Sequence, residues 1–165
     1  MAIAEPNPPP QHQERQPGRE TQMTPRPQWM PDLWRSADHL AGKVVLVTGG
    51  DSGIGRAVSV ACAAEGADVA IVYREEHEDA TTTKQAIESK GRRCVTIAGD
   101  VGDESFCKSA VERAVAELGK LDVLVNNAGE QHPQERIEEI SSEQLERTFR
   151  TNIFSFFYMT KAALP

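Results

Sequence analysis

The sequence predicts an α/β fold, a parallel sheet with helices wound over both faces, preceded by an extended N-terminal arm. Three observations point there. Residues 44–47 are an unbroken apolar run that passes through closely spaced glycines into an amphipathic segment. From Lys43 onward one unit recurs: apolar run, helix-periodic stretch, glycine, apolar run. Residues 1–40 differ in kind, holding eight of the ten prolines (Pro6, Pro8, Pro9, Pro10, Pro17, Pro25, Pro27, Pro31) among Gln, Glu and Arg. Such a segment buries too little apolar surface to offset its ordering entropy, so it is expected to be mostly without secondary structure.

The arm ends on both tryptophans of the chain, Trp29 and Trp34, with Met30 and Leu33 between them. Two such large apolar anchors favour docking of this stretch on the globular part or on a neighbouring subunit. The first strand, 44–47, lacks polar alternation, as a parallel strand buried on both faces does. Gly49, Gly53 and Gly55 follow, and Ile54, Ala57, Val58 and Ala61 then fall on one face of a helix over 54–65 that stops at Gly66. A second strand covers 69–73, and a weaker helix around 79–89 stops at Gly91. A third strand covers 94–98. Asp103 has the character of an N-cap for a helix to Leu118, with Val111, Ala114, Val115 and Leu118 on one face and Gly119 as its stop. A fourth strand is expected over 121–126, then a polar loop to Ser141. Ser141 and Gln144 have capping-box spacing ahead of a helical stretch toward Leu164. Strands alternating with amphipathic helices imply right-handed crossovers, and the arrangement is a Rossmann-type doubly wound sheet of about four strands in the order 3-2-1-4. The domain division is an arm over 1–40 and a Rossmann-type domain over 41–165.

Composition narrows the partners. The net charge is −7 and the pI about 5.1, a balance that attracts neither nucleic acid nor an anionic membrane. The first thirty residues contain no signal-like apolar run and no stretch is long enough to span a bilayer, so a cytoplasmic location is expected. Cys62, Cys94 and Cys107 are widely spaced, with no Cys-x-x-Cys pair, and read as reduced core thiols. His12, His39, His77 and His132 show no ligand spacing, so no metal site is expected. The run Glu75-Glu76-His77-Glu78-Asp79 is an acidic helix start.

The turn Thr48-Gly49-Gly50-Asp51-Ser52-Gly53-Ile54-Gly55 carries the chemistry. A strand that enters a helix through glycines leaves free backbone N–H groups at the positive pole of the helix dipole, which suits a phosphate. It is not a Walker loop, because Arg56-Ala57 stands where Lys and Ser or Thr are needed. Nor is it a nucleophile elbow, because Ser52 lacks the Gly-x-Ser-x-Gly frame. In a dinucleotide reading Gly49 makes the turn, Gly53 lets a pyrophosphate approach the backbone and Gly55 lets the helix pack on the strand.

This turn resembles the cofactor turn of the short-chain dehydrogenase/reductase family, and three more motifs match in order. Gly99-Asp100-Val101 follows the third strand, and the resemblance implies that Asp100 contacts an adenine ring. Asn126-Asn127-Ala128-Gly129 resembles the family element that supports the sheet and lines the cofactor. Thr151-Asn152-Ile153 places Asn152 where the family bends its helix and keeps a member of its proton relay. The arm with Gln16-Pro17-Gly18, the Gly50-Asp51-Ser52-Gly53 variant and Phe149-Arg150-Thr151-Asn152-Ile153-Phe154 are similar to plant glucose and ribitol dehydrogenase homologues and their bacterial aldehyde-reductase-like relatives.

The resemblance implies an oxidoreductase interconverting an alcohol, a sugar or polyol, and a carbonyl compound by hydride transfer, and a homo-oligomer whose interface uses the last helix. The family's catalytic Ser and Tyr-x-x-x-Lys are expected beyond Pro165. Tyr158 and Lys161 are spaced by three and lie too near Asn152 to replace them, so Asn152 alone represents the catalytic machinery and the chain by itself is expected to be inactive. The rival reading is a truncated, non-catalytic fragment that binds a dinucleotide or associates with whole subunits. With the fourth strand as an apolar edge and Phe149, Ile153, Phe154, Phe156 and Phe157 unpartnered, such a fragment is expected to be poorly soluble. Cofactor choice rests on Tyr73, about twenty residues after Gly53, and on Arg74 beside it. An Arg–phosphate contact favours NADP, with NAD possible because the resemblance puts Asp51 where many NADP-using relatives carry a basic residue and Glu75 and Glu76 are close by.

Overall fold

The computed structural model of the chain describes residues 20–25, 27–29 and 34–164. Four parallel strands, β1 (Val44–Thr48), β2 (Asp68–Tyr73), β3 (Cys94–Ala98) and β4 (Val123–Val125), form one sheet in the order β3-β2-β1-β4. Helices α1 (Gly53–Ala64), α2 (His77–Glu88) and α3 (Glu104–Leu118) connect them. After β4 come α4 (Ser142–Phe149), a π-turn over Arg150–Phe154 and α5 (Ser155–Ala163).

The strand period of two divides the core. Val44, Leu46, Ala70, Val72, Val95 and Ile97 face α3 and Met159 of α5. Val45, Val47, Val69 and Ile71 face Val60 and Ala63 of α1 and Ala80 and Ile87 of α2. Helices cover both faces, which is why the strands read as continuous apolar runs. Gly66, Gly91 and Gly119, each at positive φ, end the three connecting helices as expected. Asp103 caps α3, its carboxylate accepting from the N–H groups of Ser105 and Phe106.

Four local readings change. The fourth strand is shorter than 121–126. Asp122 sits ahead of it, where its carboxylate accepts from the Val44 N–H at 2.9 Å and pairs with Lys43 and Lys120. The buried stripe of α1 is Arg56, Ser59, Val60 and Ala63, not the Ile54–Ala57–Val58–Ala61 face, and Ile54 is 77% exposed. On α3, Val115 lies outside the buried stripe of Val111, Ala114 and Leu118. The capping box is half formed. Ser141 Oγ accepts from the Gln144 N–H, but the Gln144 side chain donates instead to the His132 carbonyl.

Much of the arm, including Gln16-Pro17-Gly18 and the Met30 and Leu33 positions, lies outside the described residues. The tryptophans at the ends of the expected docking stretch both touch the globular part. Trp29 is half-buried against the α1–α2 layer. The Trp34 indole donates to Glu65 at 3.1 Å, and the same carboxylate accepts from the N–H groups of Ala37 and His39.

All three cysteines are free. Burial pushes the Cys94 thiol up to about 12, and burial followed by the Asp103 and Asp100 charges pushes Cys107 up to about 11. Burial also raises half-buried Cys62. Because the thiolate is the reacting form, the folded protein at pH 8 is expected to label slowly with an aromatic disulfide reagent and quickly once unfolded. Rapid labelling of Cys94 or Cys107 in the folded protein would contradict this packing.

Candidate cofactor site

The sheet order reverses between β1 and β4, and a crevice opens there at the carboxyl ends of the strands, where doubly wound sheets place ligands. A cleft of about 240 Å³ occupies it, floored by the glycine turn on one side and by the segment after β4 on the other. Gly49, at φ +64°, turns the chain out of β1, and its N–H donates to the Val72 carbonyl at 2.7 Å. A Cβ on Gly55 would stand 1.8 Å from the Gly49 carbonyl oxygen and 2.6 Å from Asn127 Nδ2, so only glycine lets α1 start this close to the strand.

Of the residues singled out from sequence, Gly49, Asp51, Ser52, Ile54, Gly55, Tyr73, Arg74, Asp100, Val101, Asn127, Ala128 and Gly129 line this one cleft. Ile54, exposed as a helix residue, forms part of its wall. Thr48 and Gly53 do not line it. Thr48 is buried beneath, its Oγ1 accepting from the N–H groups of Asn127 and Ala128, both at 3.0 Å. Asn127 Nδ2 returns bonds to the carbonyls of Thr48 and Gly49. The two loops that frame the crevice are thereby locked together. The Gly53 N–H is taken by an arm residue, Glu20, at 2.9 Å.

Asn152 lies just beside the cleft, in a depression shared with Asn127, Gly129, Glu130 and Gln131. It sits inside the π-turn, and its carboxamide bonds Glu130 twice: Oδ1 accepts from the Glu130 N–H and Nδ2 donates to the Glu130 carbonyl, both at 2.9 Å. The expected bend in this helix is thus a π-turn, a feature that concentrates at functional sites. Tyr158 packs against the core and Lys161 pairs with Glu104, which leaves both outside the site.

Sequence reading did not single out Glu130, Arg147 and Thr151 as site residues, and they line the cleft together with Val72 and Gly99. The Glu130 carboxylate is buried and contacts Arg74 at 3.2 Å, Arg147 at 2.7 Å and the Thr151 hydroxyl at 3.0 Å. Arg147 also pairs with Asp100. Burial alone would raise the Asp100 carboxyl. The Arg147 guanidinium and the Gly102 N–H outweigh it and hold the group below the usual carboxylate range. Signals existed for these residues: Glu130 directly follows the Asn-Asn-Ala-Gly motif, and Arg147 and Thr151 lie four apart on one helix face. Burial is the largest influence on Asp51 and pushes its carboxyl up.

The residues fit a dinucleotide. The cleft joins a glycine turn at a helix start, a carboxylate after β3 and a guanidinium after β2. The Arg74 side chain is 44% exposed, and of its five N–H donors the recorded bond to Glu130 uses one. Among the described residues no cluster of His, Cys, Asp or Glu is arranged to hold a metal. No helix of the described residues is long and apolar enough to cross a membrane.

The family model for short chain dehydrogenase matches residues 43–165, and the chain belongs to that family. It is 62% identical over 156 residues to general stress protein 39 of Bacillus subtilis (strain 168), covering 94% of this chain and 54% of that protein. It is 46% identical over 162 residues to glucose and ribitol dehydrogenase of Daucus carota, covering 94% and 56%. A solved short chain dehydrogenase from Burkholderia cenocepacia J2315 in complex with NADP superposes with a TM-score of 0.73 at 38% identity, over 75% of this chain and 50% of that one. The chain thus spans about half the length of the curated relatives it matches.

Proposed function

We propose that this chain is the cofactor-holding part of an oxidoreductase that uses NADP in preference to NAD and interconverts an alcohol and a carbonyl compound by hydride transfer. The observation that carries the reading is the convergence of the glycine turn, Asp100, Asn127 to Gly129 and Arg74 on one cleft at the sheet's switch point. The solved relative named as an NADP complex supports the cofactor. Likeness to a glucose and ribitol dehydrogenase supports a sugar or polyol as the substrate.

When bound, the nicotinamide supplies or accepts the hydride. In this chain Gly49, Asp51, Ser52, Ile54 and Gly55 form the phosphate turn, with Thr48 and Gly53 supporting it from behind. Asp100 and Val101 are assigned to the adenine end, and Asn127, Ala128 and Gly129 to the opposite wall. Tyr73 and Arg74 are assigned to the adenine ribose. Asn152 is assigned to the proton relay, held in place by its paired bonds to Glu130. The 165 residues contain no Tyr-x-x-x-Lys, and the acid/base residues are assigned to the half of the relatives that this match does not cover.

The exposed Phe149, Ile153, Phe154, Phe156 and Phe157 on and around the π-turn form an apolar face suited to a second subunit, and a homo-oligomer is proposed on that basis. The same face, with β4 at the sheet edge, is what favours the second reading, a non-catalytic association module. A reducing, cytoplasmic setting suits the three free thiols.

Arg74→Glu in the protein encoded by the whole reading frame tests the cofactor assignment. A charge-assisted Arg–phosphate bond is worth about 1.5–3 kcal/mol, so the ratio of NADP to NAD kcat/KM is expected to fall about 10- to 150-fold. An unchanged ratio would refute Arg74 as the discriminating residue. Nucleotide binding without turnover of any polyol or aldehyde would favour the non-catalytic reading.

A further inference from the structure

Among the described residues of the N-terminal arm, Glu20 reaches the back of the phosphate turn. It lies ahead of residue 43, where the family match begins, in a short 3-10 turn over Glu20–Gln22. Its carboxylate is buried and spends both oxygens on the turn. Oε2 accepts from the Gly53 N–H at 2.9 Å, and Oε1 accepts from Arg56 Nη1. Ser52, the N-cap of α1, makes no side-chain cap bond, and Glu20, 33 residues away, satisfies one of the orphan N–H groups at the start of the helix.

Arg56 passes the contact on. Its side chain is 3% exposed. Nε and Nη2 donate to the Asp51 carbonyl at 3.0 and 2.7 Å, Nε to Thr83 at 2.8 Å, and Nη2 to the Asp79 carboxylate at 3.1 Å. The backbone of Asp51 to Gly53 is therefore held from behind by one buried guanidinium and one arm carboxylate, while Asp51, Ser52 and Ile54 present their other side to the cleft. Arg56 is buried between two carboxylates, Glu20 and Asp79, so loss of Glu20 removes one of its two ion pairs.

We propose that Glu20 is a positioning residue of the dinucleotide site, and that the arm clamps the phosphate turn in its binding shape. This rests on the dinucleotide reading of the cleft. Because binding linkage is reciprocal, a bound dinucleotide must strengthen arm docking by the same factor that the docked arm strengthens binding.

Two measurements on the protein encoded by the whole reading frame test it. In Glu20→Ala the Kd for NADPH is expected to rise about tenfold or more, for loss of charge-assisted bonds on the turn. The KM for cofactor should rise in parallel while kcat at saturating cofactor stays level. Glu20→Gln, which keeps one acceptor oxygen but neither the second nor the charge, should recover only part of the affinity, with a Kd between those of Glu20→Ala and the unaltered protein. A merely structural role would lower the melting temperature and leave the Kd unchanged, and that result would overturn the proposal. The second measurement needs no variant. Trypsin can cut after Arg19, the residue directly ahead of Glu20, and saturating NADPH should slow that cut about tenfold by the reciprocity. Equal cleavage rates with and without NADPH would overturn the clamp alone. Failure of the unaltered protein to bind NADPH would overturn the dinucleotide reading and the clamp with it.

Discussion

Gly55→Ala is expected to abolish dinucleotide binding and to destabilise the fold by at least about 3 kcal/mol, the upper end of the usual overpacking range. The new methyl would fall 1.8 Å from the Gly49 carbonyl oxygen, a backbone atom that cannot swing aside. Relief requires α1 to move off β1, which opens the turn and strains the Asn127 bonds to Thr48 and Gly49. At roughly 2–4 °C per kcal/mol for a chain of this size, the melting temperature should drop by about 6–12 °C. Gly53→Ala is the control. Nothing lies within 4 Å of a Cβ there, so only the φ of +51° is penalised, at about 1–2 kcal/mol. Thermal melts followed by circular dichroism would check the pair. A Gly55→Ala protein melting within 2 °C of the unaltered one, on that same scale, would mean the close approach is not what glycine serves.

Thr48→Val is the second large effect. The two side chains have nearly the same shape, but valine has no oxygen to accept from the N–H groups of Asn127 and Ala128, both 3.0 Å from Thr48 Oγ1. Each orphaned donor costs about 1–3 kcal/mol, so a loss of about 2–6 kcal/mol is expected. Thr48→Ser keeps the acceptor and gives up a methyl, and about 1 kcal/mol should go with it. Amide exchange distinguishes the cause: the Asn127 and Ala128 amides should lose protection in the valine variant and keep it in the serine one. Equal protection in both would show that the hydroxyl is not the tie between β1 and the loop after β4.

The parts of this architecture that recur were legible in the sequence. Parallel strands buried on both faces must be apolar throughout, and helices that turn back toward the next strand need a left-handed residue, so Val44 to Val47 and Gly66, Gly91 and Gly119 announced themselves. The face of α1 was not legible, because hydrophobic periodicity is blind to buried polar groups. Arg56 and Ser59 occupy the inner stripe, where Ser59 donates to the Gly55 carbonyl and Arg56 to Asp51, Thr83, Asp79 and Glu20. Ile54 is left on the outside, where it serves the cleft wall.

The site divides in the same way. Its glycines, Asp100 and the Asn127 loop lie in contiguous motifs beside strand ends. Glu130 and Arg147 gain their place only through a charge network that joins residues far apart in sequence. Glu20 is the extreme case, one acid of a Pro- and Gln-rich arm whose partners become neighbours only when Glu20 reaches the start of α1. No spacing rule connects it to Arg56.

The most direct test of the central claim is a calorimetric titration of NADPH and of NADH into the protein encoded by the whole reading frame. The cleft and Arg74 predict one NADPH per chain, with a Kd at least about tenfold below that for NADH, and loss of that preference in Arg74→Glu. Absence of saturable binding by either nucleotide, or NADH bound as tightly as NADPH, would contradict it.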